Sequence, residues 1–129
     1  MKLLVTGAAG FIGSTYARLV ASEHEVTVVR DQVGSPTYTA HLAEGIVRLI
    51  ATDAYGVHHM AAGGHCSWYD FAVAIFDRTK LSCQVIPART DELGRPAPRP
   101  EYSVLETERD HAVHLPDWRA GLDDYLAER

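Results

Sequence analysis

The chain begins with a glycine-rich stretch whose residue spacing suits the binding of phosphate groups. The segment TGAAGFIG (residues 6–13) follows a short apolar run and precedes apolar residues at helical spacing. In such a turn Gly7 allows a tight bend, Gly10 lets the backbone approach a pyrophosphate, and Gly13 lets helix and strand pack closely. The N–H groups at the helix start would then face the phosphates. The predicted cofactor-binding residues of this turn are Gly7, Gly10, Phe11, Ile12 and Gly13.

An acidic candidate follows the next predicted strand. The β-branched run EVTVV at 25–29 favours a strand, and Asp31 comes just after it. In a dinucleotide-binding unit, an acid at this point accepts a hydrogen bond from the ribose hydroxyl of NAD. Arg30 beside it would instead favour the 2′-phosphate of NADP. The sequence therefore predicts binding of NADP or NAD and leaves the choice between them open.

Several elements must position these residues. The predicted elements are strands at 2–6, 25–29, 56–60 and 84–86, and helices at 11–20, 40–51, from Ser67 onward and at 117–127. Ser67 and Asp70 have the spacing of a capping box. The proline-rich segment 87–100 is predicted to be extended and helix-free, and Pro116 is expected in the first turn of the last helix. This order of elements predicts an α/β fold.

Composition restricts the class of protein. At 129 residues the chain has the length of one domain, with 47% hydrophobic and 22% charged residues. No apolar run reaches the roughly 18 residues that a membrane span needs. Cys66 and Cys83, in a chain without an evident secretion signal, predict reduced thiols and a cytoplasmic protein.

The net charge of −5 is concentrated at one end of the chain. Residues 1–100 carry nine acidic and nine basic side chains, whereas residues 101–129 carry eight acidic and three basic ones. A nucleic-acid surface needs clustered positive charge. We therefore expect no nucleic-acid partner.

The histidines do not indicate a metal site. His58 and His59 would point to opposite faces of a strand, so they could not easily ligate one ion. Cys66 beside His65 could form a nucleophilic pair, but the spacing supplies no third residue to orient it. We predict no metal, and these histidines are interpreted as structural or incidental.

Four motifs together carry a family resemblance. They are DQVGSPTY (31–38), GVHHMAAGGHCSWYDFAVAIF (56–76), APRPEYSVLE (97–106) and LPDWRAGLDDYL (115–126). From Asp31 onward the chain resembles the C-terminal half of the dTDP-4-dehydrorhamnose reductases, which are extended short-chain dehydrogenases/reductases that modify nucleotide sugars. The opening TGAAGFIG resembles the start of the related nucleotide-sugar dehydratases. The resemblance implies an NADP- or NAD-dependent oxidoreductase of dTDP-rhamnose biosynthesis.

The catalytic pair of that family is missing from the printed sequence. The family uses a Tyr-x-x-x-Lys pair, in which the tyrosine passes a proton to the substrate carbonyl. Here the lysines are Lys2 and Lys80, and neither lies four residues after a tyrosine. Hydride transfer to a sugar ketone would lack its general acid. The catalytic residues are therefore unknown.

The resemblance also implies a substrate-binding surface, and the segment from Ser67 to Ser103 would line the nucleotide-sugar side of the cleft. Trp68 could stack on the sugar or base, or could be a core residue. Arg99 could present a bidentate fork to a diphosphate, or could lie in a solvated linker. Tyr102 is a hydrogen-bonding candidate. The predicted substrate-binding residues are Trp68, Arg99 and Tyr102.

These features predict one domain over 1–129, with a Rossmann-type start at 1–31 and a reductase-like substrate side at 32–129. The expected fold is a small Rossmann-like parallel sheet of three or four strands with flanking helices, in two or three layers. It would lack the central part of the parent fold, and we expect that part to be missing between residue 29 and Asp31. Exposed sheet edges then predict a homodimer, with or without exchanged elements.

Three hypotheses for the function remain open. The first is a shortened dTDP-4-dehydrorhamnose reductase-like protein that retains a dinucleotide or dTDP-sugar site. The second is a non-catalytic module that docks on a deoxysugar enzyme. The third is a repurposed enzyme with a remodelled cleft. The acid or base of this third possibility would come from Asp31, His59, His65 or Tyr102.

Overall fold

The computed structural model describes residues 25–94 and 96–128. The predicted first strand, first helix and glycine-rich turn lie outside these residues. In chain order the described elements are β1 (Glu25–Val29), β2 (Val33–Gly34), α1 (Thr39–Ile50), β3 (Cys66–Ser67), α2 (Trp68–Thr79), β4 (Gln84–Ala88), a short 3-10 helix (Asp91–Leu93) and α3 (Trp118–Ala127). The α/β class with a parallel sheet and flanking helices is thus confirmed.

The chain divides into two compact units that alternate along the sequence. Of the described residues, the first unit holds 25–34 and 66–103, and the second holds 35–65 and 104–128. The division of one domain into regions 1–31 and 32–129 stays a prediction.

The first unit is built on a parallel pair of strands. β1 and β4 pair in the register that sets Val29 opposite Ala88. The β-branched residues of β1 suit this pleated, half-covered surface. Helix α2 packs against both strands and contributes Phe71, which is 3% exposed. The buried side chains of Val28, Val29 and Phe71 form the core of this unit.

Immediately after β1 the chain enters a second pairing in the same unit. β2 pairs antiparallel with β3, with Val33 opposite Ser67. On its other side Val33 donates its N–H to the carbonyl of Glu101 at 2.8 Å and accepts from the N–H of Ser103 at 2.9 Å. The short segment 33–34 is therefore held between β3 and the segment 101–103.

The second unit is organised by helices α1 and α3 and by close approaches at glycine. A side chain on Gly121 of α3 would meet Cβ of Tyr38 at 2.9 Å, and one on Gly45 of α1 would meet Leu115 and Met60 at 2.6 Å. Both glycines are buried. Gly63 ties the unit together through backbone hydrogen bonds to Pro116 and Trp118 at 3.0 Å.

Most predicted elements are found close to their expected bounds. The helix expected at 40–51 is Thr39–Ile50, the strand at 84–86 is Gln84–Ala88, and Ser67 caps α2 in a full capping box with Asp70. The predicted sheet is represented, among the described residues, by two parallel strands and a separate antiparallel pair.

Three local predictions are wrong. The strand expected at 56–60 is irregular, because the guanidinium of Arg109 holds the carbonyls of Tyr55 and Val57 at 2.9 and 3.1 Å and Gly56 has φ +118°. The proline-rich segment contains a 3-10 turn. The residue that caps α3 is Asp117, so Pro116 precedes the helix instead of lying in its first turn.

Candidate functional site

The carboxyl ends of β1 and β4 form the candidate site in the first unit. Val29 and Ala88 are paired, and the N–H of Arg30 donates to the carbonyl of Ala88 at 2.9 Å, so the ladder continues past the strands. Two residues beyond that pair on each strand stand Asp31 and Thr90. In open α/β sheets ligands bind outside the carboxyl ends of the strands, which is where these two residues lie.

Asp31 and Thr90 are joined by several hydrogen bonds. The N–H of Thr90 donates to both carboxylate oxygens of Asp31, at 2.9 and 3.1 Å, and its hydroxyl donates to Oδ1 at 2.8 Å. These bonds lower the pKa of Asp31, with the backbone N–H of Thr90 as the largest cause, against an opposing effect of burial. Asp31 is thus held as a carboxylate at the end of β1.

Gln32 extends this network towards helix α2. Its Nε2 donates to the hydroxyl oxygen of Thr90 at 2.9 Å, and its backbone carbonyl accepts from the N–H of Trp68 at 3.2 Å. Gln32 is only 6% exposed, so its side-chain amide needs a partner to offset desolvation. One buried residue therefore links the end of β4, through its side chain, to the start of α2, through its backbone carbonyl.

The next residue, Val33, brings in the segment that contains Tyr102. Val33 forms a parallel bridge with Tyr102, and the hydroxyl of Ser103 donates to the carbonyl of Val33 at 3.2 Å. The side chain of Tyr102 is 63% exposed. The backbone of Tyr102 is therefore fixed, while much of its side chain faces solvent.

A cavity of about 260 Å³ opens at the same edge. Its lining includes Asp31, Arg89, Thr90, Asp91, Pro98 and Glu101. Arg89 Nε lies 3.4 Å from Asp91 Oδ1 in an exposed ion pair. Carboxylates and a guanidinium around one opening can bind hydroxyl groups through directed hydrogen bonds.

The structure brings some of the predicted site residues together and leaves others apart. Trp68 begins α2 and is half-buried, with its ring edge-on to Phe71 at a centroid distance of 6.2 Å. Arg99 is exposed and is not among the residues that line the cavity. Asp31 lies at the cavity, but its carboxylate is engaged by Thr90, so its role towards a ribose hydroxyl stays a prediction.

His59 and His65, the histidines proposed as a base for a remodelled cleft, lie in the second unit, as does His58. His58 Nε2 is 2.7 Å from the carbonyl of Ala54, and His59 Nδ1 is 3.3 Å from that of Glu106. His59 and His65 line a cavity of about 300 Å³ within this unit. Among residues 25–94 and 96–128, no three His, Cys, Asp or Glu side chains are placed to hold a metal ion.

Sequence reasoning missed Thr90 and Gln32. A usable signal was present, because parallel strands of equal length end at the same edge of a sheet. Asp31 and Thr90 are each the second residue after their strand. Pairing the two predicted strands would have brought Asp31 and the segment after residue 86 to the same edge, and the observed end of β4 at Ala88 sets Thr90 beside Asp31.

The chain is similar to a family described as the RmlD substrate binding domain, whose model matches residues 10–129. It is 38% identical over 125 residues to the spore coat polysaccharide biosynthesis protein SpsK of Bacillus subtilis, covering 95% of this chain and 44% of that protein. It is also 38% identical over 119 residues to a dTDP-4-dehydrorhamnose reductase of Mycolicibacterium smegmatis, covering 88% and 36%. The chain therefore spans less than half the length of these relatives.

Solved structures give the same likeness. A dTDP-4-dehydrorhamnose reductase from Bacillus anthracis, in complex with NADP, has a TM-score of 0.85 and 36% identity, covering 98% of this chain and 46% of that one. An orthologous reductase from Clostridium acetobutylicum has a TM-score of 0.80 and 38% identity, covering 97% and 45%.

The lengths of these matches also test the expectation of a missing internal segment. In SpsK, 125 aligned positions account for 95% of this chain and only 44% of the relative. Since 95% of 129 residues is about 123, an alignment of 125 positions leaves room for a gap of only about two positions in this chain. The expectation that a long segment is missing between residue 29 and Asp31 is therefore wrong. In the structure β1 leads directly to Asp31 and pairs with β4.

Proposed function

The chain belongs to the family of the RmlD substrate binding domain, and from that membership we propose that it binds a dTDP-deoxysugar at the carboxyl ends of β1 and β4. The observation that carries this proposal is the hydrogen-bond network of residues 31–33. It joins the start of α2, the end of β4 and the segment 101–103 within one unit. A surface assembled from three separate segments is typical of a binding site on a rigid scaffold.

In the proposed complex each predicted residue has a separate task. The half-buried ring of Trp68 offers an aromatic face to the sugar or the base. The guanidinium of Arg99, exposed on the proline-rich segment, binds the diphosphate in a bidentate manner. Tyr102, which is 63% exposed, is the proposed hydrogen-bonding residue. The 260 Å³ cavity beside them receives the hydroxyl groups of the sugar.

We extend the proposal to a dinucleotide, because the similar reductase from Bacillus anthracis forms a complex with NADP. The predicted turn residues lie outside the described residues. Asp31 already accepts from the N–H and the hydroxyl of Thr90, and its carboxylate has acceptor capacity left for a ribose hydroxyl. NADP or NAD would supply the hydride of a reductase. Since the 129 residues contain no Tyr-x-x-x-Lys, binding is proposed and reduction by this chain alone is not.

Calorimetric titration of the chain with dTDP-rhamnose tests the proposal. We expect saturable heat, and a loss of about tenfold in affinity for Arg99→Gln, since a charged hydrogen bond is removed. Arg119→Gln, which changes an exposed arginine of the second unit, is the matched control. Absence of heat with dTDP-rhamnose, or equal losses in the two variants, would contradict the proposal.

A partner-binding role has its own support in the second unit. Large apolar side chains are exposed in one stretch of chain, namely Ile46, Val47, Ile50, Tyr55 and Val57 at 46% to 81%. Such clusters mark interaction surfaces more often than chance exposure does. We propose that this apolar stretch binds a second copy of the chain or a deoxysugar enzyme. A mass measurement in solution, with and without nucleotide, tests this; a monomer throughout, including with an added reductase, would contradict it.

The proposed location is the cytoplasm. One relative is named as a polysaccharide biosynthesis protein and another as a reductase, and Cys66 and Cys83 are free cysteines. Among the described helices, none has the length and apolar character to cross a membrane. Fractionation of the cells that produce the chain would test the location.

A further inference from the structure

We infer that Thr90 is a positioning residue, which sets the geometry of the proposed sugar-nucleotide surface by locking the segment 31–33 in place. The inference rests on the function proposed above. Thr90 follows β4, and it lies more than fifty residues along the chain from its partners Asp31 and Gln32. The three side chains therefore meet only when β1 and β4 are paired.

The hydroxyl of Thr90 does two things at one atom. Oγ1 donates to Asp31 Oδ1 at 2.8 Å and accepts from Gln32 Nε2 at 2.9 Å. A carboxylate can only accept, and an amide NH₂ can only donate. A hydroxyl is the side-chain group that can lie between them and satisfy both. Serine preserves this capacity, whereas valine has the shape of threonine without it.

The hydrogen bonds of Thr90 to Asp31 and Gln32 fix the backbone atoms that hold the binding residues. Gln32 is fixed by its side chain, and its carbonyl accepts from the N–H of Trp68. The adjoining Val33 accepts from the N–H of Ser103. A shift of residues 32–33 would therefore move the start of α2 and the segment of Tyr102 together. Thr90 thus acts on the ligand-facing side chains indirectly, through the hydrogen bonds from Trp68 to Gln32 and from Ser103 to Val33.

Two measurements on the whole chain separate this role from a local structural one. In the absence of ligand, amide hydrogen exchange at Trp68 and Ser103 should be faster in Thr90→Val and near wild type in Thr90→Ser. With dTDP-rhamnose, Thr90→Val should bind about tenfold more weakly, as for loss of a hydrogen bond to a charged group, and Thr90→Ser within about threefold of wild type. Thr79→Val is the matched control, since its hydroxyl donates to Ile75 within α2.

Gln32→Met keeps the inference testable if Thr90→Val does not fold. It removes the side-chain amide, and with it the hydrogen bond from Nε2 to Thr90, and it should raise exchange at Trp68 and weaken binding by a smaller factor. Unchanged exchange at Trp68 and Ser103 in a folded Thr90→Val, or in Gln32→Met, would overturn the inference. If the wild-type chain does not bind dTDP-rhamnose, the proposed function is contradicted. The exchange data would still show whether Thr90 holds the segment 31–33 in place.

Discussion

Each unit contains a helix that begins with the same local device, yet the two tryptophans that follow have different environments. Ser67 caps α2 and Asp117 caps α3, and in both cases the next residue is a tryptophan. Trp118 is 3% exposed, with the guanidinium of Arg119 at 4.5 Å from its ring. Trp68 is only half-buried. The cap determines where a helix begins, and long-range packing determines how deeply its first side chain is buried.

The same contrast extends to how each unit is ordered. In the first unit, side-chain hydrogen bonds around Asp31, Gln32 and Thr90 organise the strand ends. In the second, glycines at 45 and 121 allow close contact with neighbouring side chains. A polar network can be rearranged by a ligand that offers equivalent hydrogen bonds, whereas close packing tolerates little change. This difference favours the first unit as the ligand-binding one.

The largest expected effect comes from the buried tryptophan. Trp118→Ala should lower the free energy of unfolding by about 3–5 kcal/mol, the usual cost of truncating a buried tryptophan. Trp68→Ala should cost about 1–2 kcal/mol, because its ring is already partly in water, but should abolish binding of dTDP-rhamnose. Denaturant unfolding and calorimetry measure the two effects. Equal losses of stability in the two variants would contradict the view that Trp118 is a core residue and Trp68 a ligand-binding one.

The next effect tests close packing in the second unit. Gly121→Ala should destabilise the chain by about 1–3 kcal/mol, because the new methyl would meet Cβ of Tyr38, which cannot move without its backbone. Gly45→Ala should cost less, since the atoms in its way are the side-chain ends of Leu115 and Met60, and alanine has the higher helix propensity. Thermal unfolding of both variants measures this, and a larger loss at Gly45 would refute the packing argument.

A smaller effect is expected at the helix caps. Ser67→Ala removes the oxygen that accepts from the N–H of Asp70 at 3.0 Å, and should cost about 1 kcal/mol. Asp117→Ala should cost a similar amount, since its carboxylate accepts from the N–H of Arg119 at 2.8 Å. Denaturant midpoints measure both. A neutral Ser67→Ala would show that the hydrogen bond from Trp68 to Gln32 is enough to fix the start of α2.

Local patterns in the sequence predicted most of the described helices and strands correctly. The helical spacing over 40–51 and the Ser67 cap act over a few residues, so α1 and α2 could be predicted. The irregular segment at 56–60 could not, because it depends on Arg109, which lies some fifty residues away. A β-branched or apolar run favours a strand only where a partner strand is available.

The candidate site was predictable only in part, for the same reason. Motif resemblance pointed to Trp68, Arg99 and Tyr102, and it did not indicate what holds them. Thr90 and Gln32 have ordinary residue types in an ordinary stretch, and their role follows from strand pairing alone. A parallel pairing between residues almost sixty positions apart leaves no periodic signal in the sequence.

Acid should act mainly on the first unit. Because hydrogen bonds from Thr90 lower the pKa of folded Asp31 below its unfolded value, the stability that they contribute is present above the unfolded pKa. It should be lost as the pH falls from about 4 through the folded pKa. Denaturant unfolding of wild type and Asp31→Asn over this range measures the difference. Parallel pH profiles for the two proteins would mean that Asp31 is not linked to stability.

Alkali should act on the second unit, where the smallest effect is expected. The hydrogen bond from the Tyr38 hydroxyl to Glu128 is the main cause that raises the pKa of Tyr38 from 10.0 to about 12. The folded pKa lies above the unfolded one, so this contribution is complete below pH 10.0 and declines as the pH rises towards about 12. The difference in tyrosinate absorbance between wild type and Tyr38→Phe isolates this residue from the other tyrosines. Glu128→Gln should bring the midpoint back towards 10.0, and an unchanged midpoint would assign the shift to burial instead.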